Sequence, residues 1–384
     1  MAVRKQRFSL FLVCLMGAGS VAVPAGACTV PVFRYALERW EPHVYGVLVF
    51  HREALSEAEQ KTVARLTQCA ANEDLPCNMD VRAVDVSGKM SKHIAEIYKT
   101  QQGQALPRMV VCYPRRFGPA AVAWSGPVTD EAARALVDSP IRRKIAETIV
   151  KGGTAVWVLV DGGDRKKDDA TAKRLAEQLA KMEKELELPL QPAPYPGEEA
   201  DDTTGGLPLK IAFSLVRLSR QSPGEEIFAK LLLNTEEDLV TEYASEPKAF
   251  AVFGQGRAMW ALVGKGITDE NIADVCAFLV GQCSCQAKDL NPGVDMLFAA
   301  DWYAGLEGRT PATAVLPDVI APAAAPTSAP AGGGPVADRT VGEAASTAGG
   351  SGWALLRNTL LAVGSLVLVA AALVVWIIRK PARG

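Results

Sequence analysis

The sequence predicts an α/β protein made of two successive units, each a central mixed sheet flanked by helices, followed by one apolar helix near the C-terminus. Three observations predict it. Short apolar runs alternate with helix-start signals in the order βαβαββα, that order recurs in the second half, and an uncharged apolar run of about twenty residues lies near the end of the chain. The composition agrees, since 384 residues that are 49% apolar and 22% charged, with a formal net charge of -2, are ordinary for globular material. No basic stripe with interleaved aromatics occurs, which argues against nucleic acid as a partner.

In the first half, residues 44–50 form a short apolar run that reads as a strand. Ser56-Glu57-Ala58-Glu59 is a capping box opening a helix to about residue 70. Val81, Ala83, Val84 and Val86 mark a second strand over 79–86, and a helix follows near 91–101. Leu106-Pro107 then introduces a strand over 109–113, residues 120–124 pair with it as a hairpin, and a helix over 130–137 closes the unit. The second half repeats this with a strand at 154–160, a charged amphipathic helix at 168–188 and a strand at 209–218. Ser222-Pro223-Gly224-Glu225 reads as another capping box, with proline at the first helical position, opening a helix to about 233. Pro247 precedes a strand at 249–253, residues 259–263 return as its hairpin partner, and 269–280 is the last helix. Residues 192–206 between these elements read as an acidic, Pro/Gly-rich surface loop.

The two ends of the chain carry topology signals. Arg4, Lys5 and Arg7 precede an apolar stretch and Ala25-Gly26-Ala27, the pattern of a signal peptide over residues 1–27; the same residues with Cys28 loosely match a lipidation box. Residues 309–352 are dominated by Ala, Pro, Gly, Ser and Thr, too apolar-poor to offset chain entropy, and read as a stalk. The run at 359–378, within a terminal segment 353–384, is long enough to cross a hydrocarbon core of about 30 Å, with Trp353 and Trp376 near its ends. Arg379, Lys380 and Arg383 follow it against a lone Arg357 before it, so the positive-inside rule puts the tail in the cytoplasm. The expectation is a single-pass inner-membrane protein with its bulk periplasmic or extracytoplasmic, folded as domains at 28–150 and 151–308.

Two stretches carry a family resemblance: Leu106-Pro107-Arg108-Met109-Val110-Val111 with Trp124-Ser125-Gly126, and Glu246-Pro247-Lys248-Ala249-Phe250 with Val263-Gly264-Lys265-Gly266. A strand pair introduced by proline, with a Gly-ended hairpin and a final helix, resembles the C-terminal half of the thioredoxin fold. The resemblance covers most of the folded region as two copies and implies tandem thioredoxin-like domains, with Pro107 and Pro247 as candidates for cis peptides. It departs from the family where the chemistry lies. The positions of the Cys-x-x-Cys read Phe50-His51-Arg52-Glu53-Ala54-Leu55 and Asp161-Gly162-Gly163-Asp164-Arg165-Lys166, without a thiol. Fold alone does not supply function.

Beyond the signal peptide the cysteines are Cys28, Cys69, Cys77, Cys112, Cys276, Cys283 and Cys285, an odd set in an oxidising compartment. Cys69 and Cys77 bracket a short loop and are the first choice for a structural disulfide. Cys276, Cys283 and Cys285 lie within ten residues at the end of the last helix, and Cys276 and Cys283 share one helix face if that helix persists that far. They are open to three readings: a structural disulfide, catalytic thiol-disulfide exchange, or thiolate ligation of zinc or copper(I). His51 follows the first strand and could act as a base, but without a paired nucleophile in sequence it reads as a surface residue, and His43 and His93 complete the histidines. Asp161-Gly162-Gly163-Asp164 lacks the remainder of a phosphate or calcium motif and reads as a strand-ending turn; Gly254-Gln255-Gly256-Arg257 reads as a hairpin turn. Tyr35, Trp40 and Tyr45 read as packing of an N-terminal segment.

These observations lead to the expectation of a non-enzymatic binding or scaffolding protein whose partner is another envelope or membrane protein, with no cofactor. The alternatives are an exchange enzyme or a soft-metal protein using the three clustered cysteines.

Overall fold

The computed structural model describes residues 30–114, 121–190, 207, 209–282 and 288–308. The expected signal peptide, acidic loop and stalk, together with Cys28, Cys283, Cys285 and the apolar run at 359–378, lie outside the described residues. Among the described residues no helix is long and apolar enough to cross a membrane.

The chain enters through helix α1 (Val32–Arg39), then runs β1 (Tyr45–His51), α2 (Glu57–Ala70), β2 (Met79–Asp85), α3 (Lys92–Lys99), β3 (Arg108–Cys112), β4 (Val122–Pro127) and α4 (Asp130–Val137). After α5 (Pro140–Val150) come β5 (Ala155–Val160), α6 (Arg165–Glu185), β6 (Phe213–Leu218), α7 (Glu226–Leu233), β7 (Lys248–Phe253), β8 (Arg257–Ala258), β9 (Leu262–Val263), α8 (Asp269–Val280) and β10 (Val294–Asp295).

These strands build two mixed sheets. The first has the order β2-β1-β3-β4 and the second β10-β8-β7-β5-β6, with β9 also on β7. In each, the first two strands are parallel and the third is antiparallel to the first: Val49 lies opposite Ala83 and Met109, and Val158 opposite Val216 and Phe250. The recurrence of element order in the sequence is therefore a recurrence of sheet topology. All six residues of β5 are buried, which is why it reads as an unbroken apolar run, whereas the sheet-edge strand β2 is half-exposed along most of its length.

Alternation along the central strands divides the apolar interior. Tyr45, Val47 and Val49 of β1 and Val156, Val158 and Val160 of β5 face one shared core, which also takes Leu66 of α2, Leu136 of α4, Ile145 of α5 and Phe228 of α7. The opposite face of β1, Leu48 and Phe50, packs on Ile97 of α3. The opposite face of β5, Ala155, Trp157 and Leu159, packs with α1, α6 and α8.

Helix α1, counted by sequence with the first unit, thus covers the second sheet. It can do so because Gly254, at φ 56°, brings the β7–β8 turn so close that a Cβ there would lie 2.6 Å from the Ala36 Cβ. The C-terminal segment makes the reverse excursion. Met296 to Trp302 enter the shared core, and Ala299 pairs with Cys77 of the first unit as an isolated bridge.

Several local expectations are corrected. The capping box at Ser56 is present, with Ser56 Oγ and Glu59 exchanging reciprocal bonds. The one proposed at Ser222 is not: Gly224 adopts φ 78°, which no helix accommodates, so Ser222 to Glu225 forms a turn and α7 starts at Glu226. The amphipathic helix begins earlier than expected, because Asp164 caps it by accepting from Lys166 N and Lys167 N. The Leu106–Pro107 peptide is cis, whereas Pro247 follows a trans peptide. Helices α1 and α5 were not foreseen. Both are short, and α5 is set by the Ser139 cap and Pro140 at its first position.

Candidate functional site

The parallel strands β1 and β5 each end in a loop that leads into a helix, and the two ends differ. At the first, residues from His51 to Ser56, together with Glu59, Tyr98, Gln104, Leu106 and Pro107, line a groove of about 580 Å³. Its shape follows from local chemistry. Ser56 N and Oγ both donate to Glu59 Oε2, at 2.7 and 2.8 Å, which pins the start of α2, and Gln60 Nε2 donates to Leu55 O at 2.6 Å. His51 Nδ1 lies 3.0 Å from Glu53 O, a contact that makes Nδ1 the protonated ring nitrogen. Ser56 Oγ is committed to the helix cap and not to His51, and among the described residues no cysteine lines the groove.

At the second end the corresponding loop closes on itself. Asp168 of α6, only 2% exposed, accepts from Gly162 N at 2.8 Å and from Gly163 N at 3.0 Å. Two adjacent backbone amides that would suit an external anion are therefore filled by an internal carboxylate. Gly162 also lies so close to the segment before β7 that a Cβ would sit 2.5 Å from Ser245 O and 2.8 Å from Pro247 N. The strand-ending turn expected at Asp161 to Asp164 is what forms. Next to it the buried Lys248 amine donates to Tyr243 O at 2.5 Å and to Glu246 O at 2.6 Å. Burial, aided by the Arg220 charge, brings that amine down to about 8.

The sequence-predicted thiols are distributed as follows. Cys276 is fully buried in α8 among the residues covering the second sheet, and burial pushes its thiol up to about 12. The helix does not persist to Cys283: it ends at Val280, and Gly281 turns extended at φ -63° and ψ 163°. The shared helix face expected for Cys276 and Cys283 is therefore not formed, and Cys283 and Cys285 lie outside the described residues. Among the described residues no group of three or more potential ligands is placed to hold a metal ion. Cys112 is buried alone, with its thiol also pushed up to about 12. Cys69 and Cys77 do meet, as hydrogen-bonded thiols instead of the expected disulfide.

One charged cluster was missed by sequence reasoning. Asp295 of β10, 3% exposed, lies 2.6 Å from His43 Nδ1, 3.0 Å from Arg257 Nη1 and 2.5 Å from Lys288 Nζ, and accepts from His43 N at 2.9 Å. Burial alone would raise its carboxyl, but the His43 hydrogen bond and the Lys288 and Arg257 charges outweigh that and hold it well below the usual carboxylate range. Arg257 also donates to Asn291 O and Pro292 O, so the cluster fastens the C-terminal segment to the start of β1 and to β8. Its groups are committed to one another, which makes it a clasp. No local signal could have revealed it, since His43 and Asp295 are 252 positions apart.

Comparison of the chain with models of known families, with curated proteins and with solved structures gave no match.

Proposed function

We propose that this is a membrane-anchored extracytoplasmic binding or scaffolding protein, in which two thioredoxin-like domains lacking the dithiol dock another envelope protein through the groove after β1. The observation that carries the reading is that groove: an open site of about 580 Å³ at the carboxyl end of a central strand, beside the proline that precedes β3, lined by His51, Arg52, Glu53 and Tyr98 and by no thiol. The repeated sheet order, with a proline before the third strand of each sheet, supports the thioredoxin-like part. The anchor, the stalk and the inner-membrane orientation rest on the charge and hydropathy of residues 1–27 and 309–384.

An insulin-disulfide reduction assay on the full chain tests the reading. Background turnover is expected. Catalytic turnover that disappears in Cys283→Ser or Cys285→Ser would replace it with a thiol-disulfide exchange enzyme. A reporter fused after Gly308 is expected to be active only outside the cytoplasm.

A further inference from the structure

Cys69 lies in the last turn of α2, and the loop from Ala71 to Pro76 returns Cys77 to its side. Asn72 holds that loop in shape, its side-chain oxygen accepting from Asp74 N at 3.0 Å and Leu75 N at 3.1 Å. The Cys77 thiol donates to Cys69, so the two sulfurs are already in contact. That hydrogen bond holds the Cys69 thiol below its ordinary value, while the same bond, with burial, raises Cys77. The paired arrangement separates them from Cys112 and Cys276, which are buried singly.

Two further features surround the pair. Cys77 lines a cleft of about 270 Å³ with Pro76, Asn78, Phe298, Trp302 and Tyr303, whereas Cys69 does not border it. On the inner side stands Arg142 of α5, 2% exposed, whose guanidinium donates to the carbonyls of Ala135, Leu136 and Leu297 and lies 5.4 Å from the centre of the Phe228 ring. Its charge acts on Cys77 in the lowering direction, against the larger raising effects of the Cys69 hydrogen bond and of burial.

We propose that Cys69 and Cys77 form a reversible dithiol-disulfide site that exchanges with small aliphatic disulfides entering by the cleft under Trp302 and Tyr303. The chemistry is two successive exchanges. Cys77 Sγ passes its proton to the Cys69 sulfur across their hydrogen bond as it attacks one sulfur of the incoming disulfide, forming a mixed disulfide and expelling the first thiolate, which in turn takes that proton from Cys69. The Cys69 thiolate then attacks Cys77 Sγ, closes the intramolecular bond and expels the second. Two protein thiols and one disulfide become one protein disulfide and two small thiols, and the two protons leave with those thiols. The inference uses neither the groove after β1 nor Cys283 and Cys285, so it stands or falls separately from the docking reading.

The test equilibrates the full-length protein, in detergent and without denaturant, with glutathione and glutathione disulfide at varied ratios. Acid trapping, differential alkylation and peptide mapping then report Cys69 and Cys77. The expected result is a Cys69–Cys77 disulfide whose fraction follows the ratio in both directions. In Cys69→Ala the exchange should stall as a glutathione adduct on Cys77, and Cys77→Ala should carry at least about tenfold less adduct on Cys69, which does not line the cleft. The proposal is overturned if the pair stays reduced under oxidising ratios, or if its disulfide yields to glutathione only after unfolding, the behaviour of a permanent staple. Should a variant not fold, the titration of the unaltered chain decides alone.

Discussion

The carboxyl ends of β1 and β5 begin from the same topology and finish differently. After β1 the loop stands away from Pro107 and leaves a groove lined by polar side chains; after β5 the loop is drawn onto Pro247 and its amides are filled by Asp168. Two residue choices account for the difference. A glycine at 162 permits backbone-to-backbone approach, where the first unit has Arg52 one place after its strand, and a carboxylate at 168 supplies an internal ligand for the loop. Strand order thus sets where a site can lie, and a few side chains decide whether it stays open or becomes part of the scaffold.

Each half of this comparison can be broken. The largest effect is expected from Gly162→Val, whose side chain would meet the backbone of Ser245, Glu246 and Pro247: a loss of about 3 kcal/mol in chemical denaturation. Asp168→Asn keeps the size but removes the charge, and should lower stability by about 2 kcal/mol in the same measurement.

Lys248→Met sharpens the picture through pH. In the folded protein the amine loses its proton near 8, whereas in the unfolded chain it does so near its ordinary value of about 10.4. Between those values the unfolded chain binds more protons, so this group's contribution makes stability rise with pH across that window and stay level below it. Subtracting the variant's melting profile from that of the unaltered protein should expose that rise. The smallest effect belongs to the open end. His51→Ala should change stability by under about 0.5 kcal/mol, because the ring is half-buried and its one hydrogen bond is to a neighbouring loop carbonyl.

What could be read from the sequence was local or periodic. The Ser56 box, the buried β5 run and most of the element order in both halves depend on neighbours a few residues apart and are present, although the hairpin partner expected at 259–263 forms as two short strands, β8 and β9. The groove was legible as a position, since the residues after a central strand open the following helix, although its volume was not. The errors came from glycine conformation and from distance. Ser222 to Glu225 has the letters of a capping box, but Gly224 at positive φ stops the helix from starting there. Helix α8 ends at Val280, before Cys283, with Gly281 already extended. The seating of α1 on the second sheet, the clasp at Asp295 and the placing of Arg142 beside Cys77 join residues far apart in the chain, and no periodicity encodes such encounters.

The proposed docking role requires the groove after β1 to be an occupied surface in the envelope. Photo-crosslinking in intact cells tests that directly, with benzoylphenylalanine placed at Glu53 in the groove or at the exposed Arg165 after β5. A discrete crosslinked envelope protein from position 53, without a counterpart from position 165, is the predicted result. No product from position 53, or the same products from both positions, would contradict it.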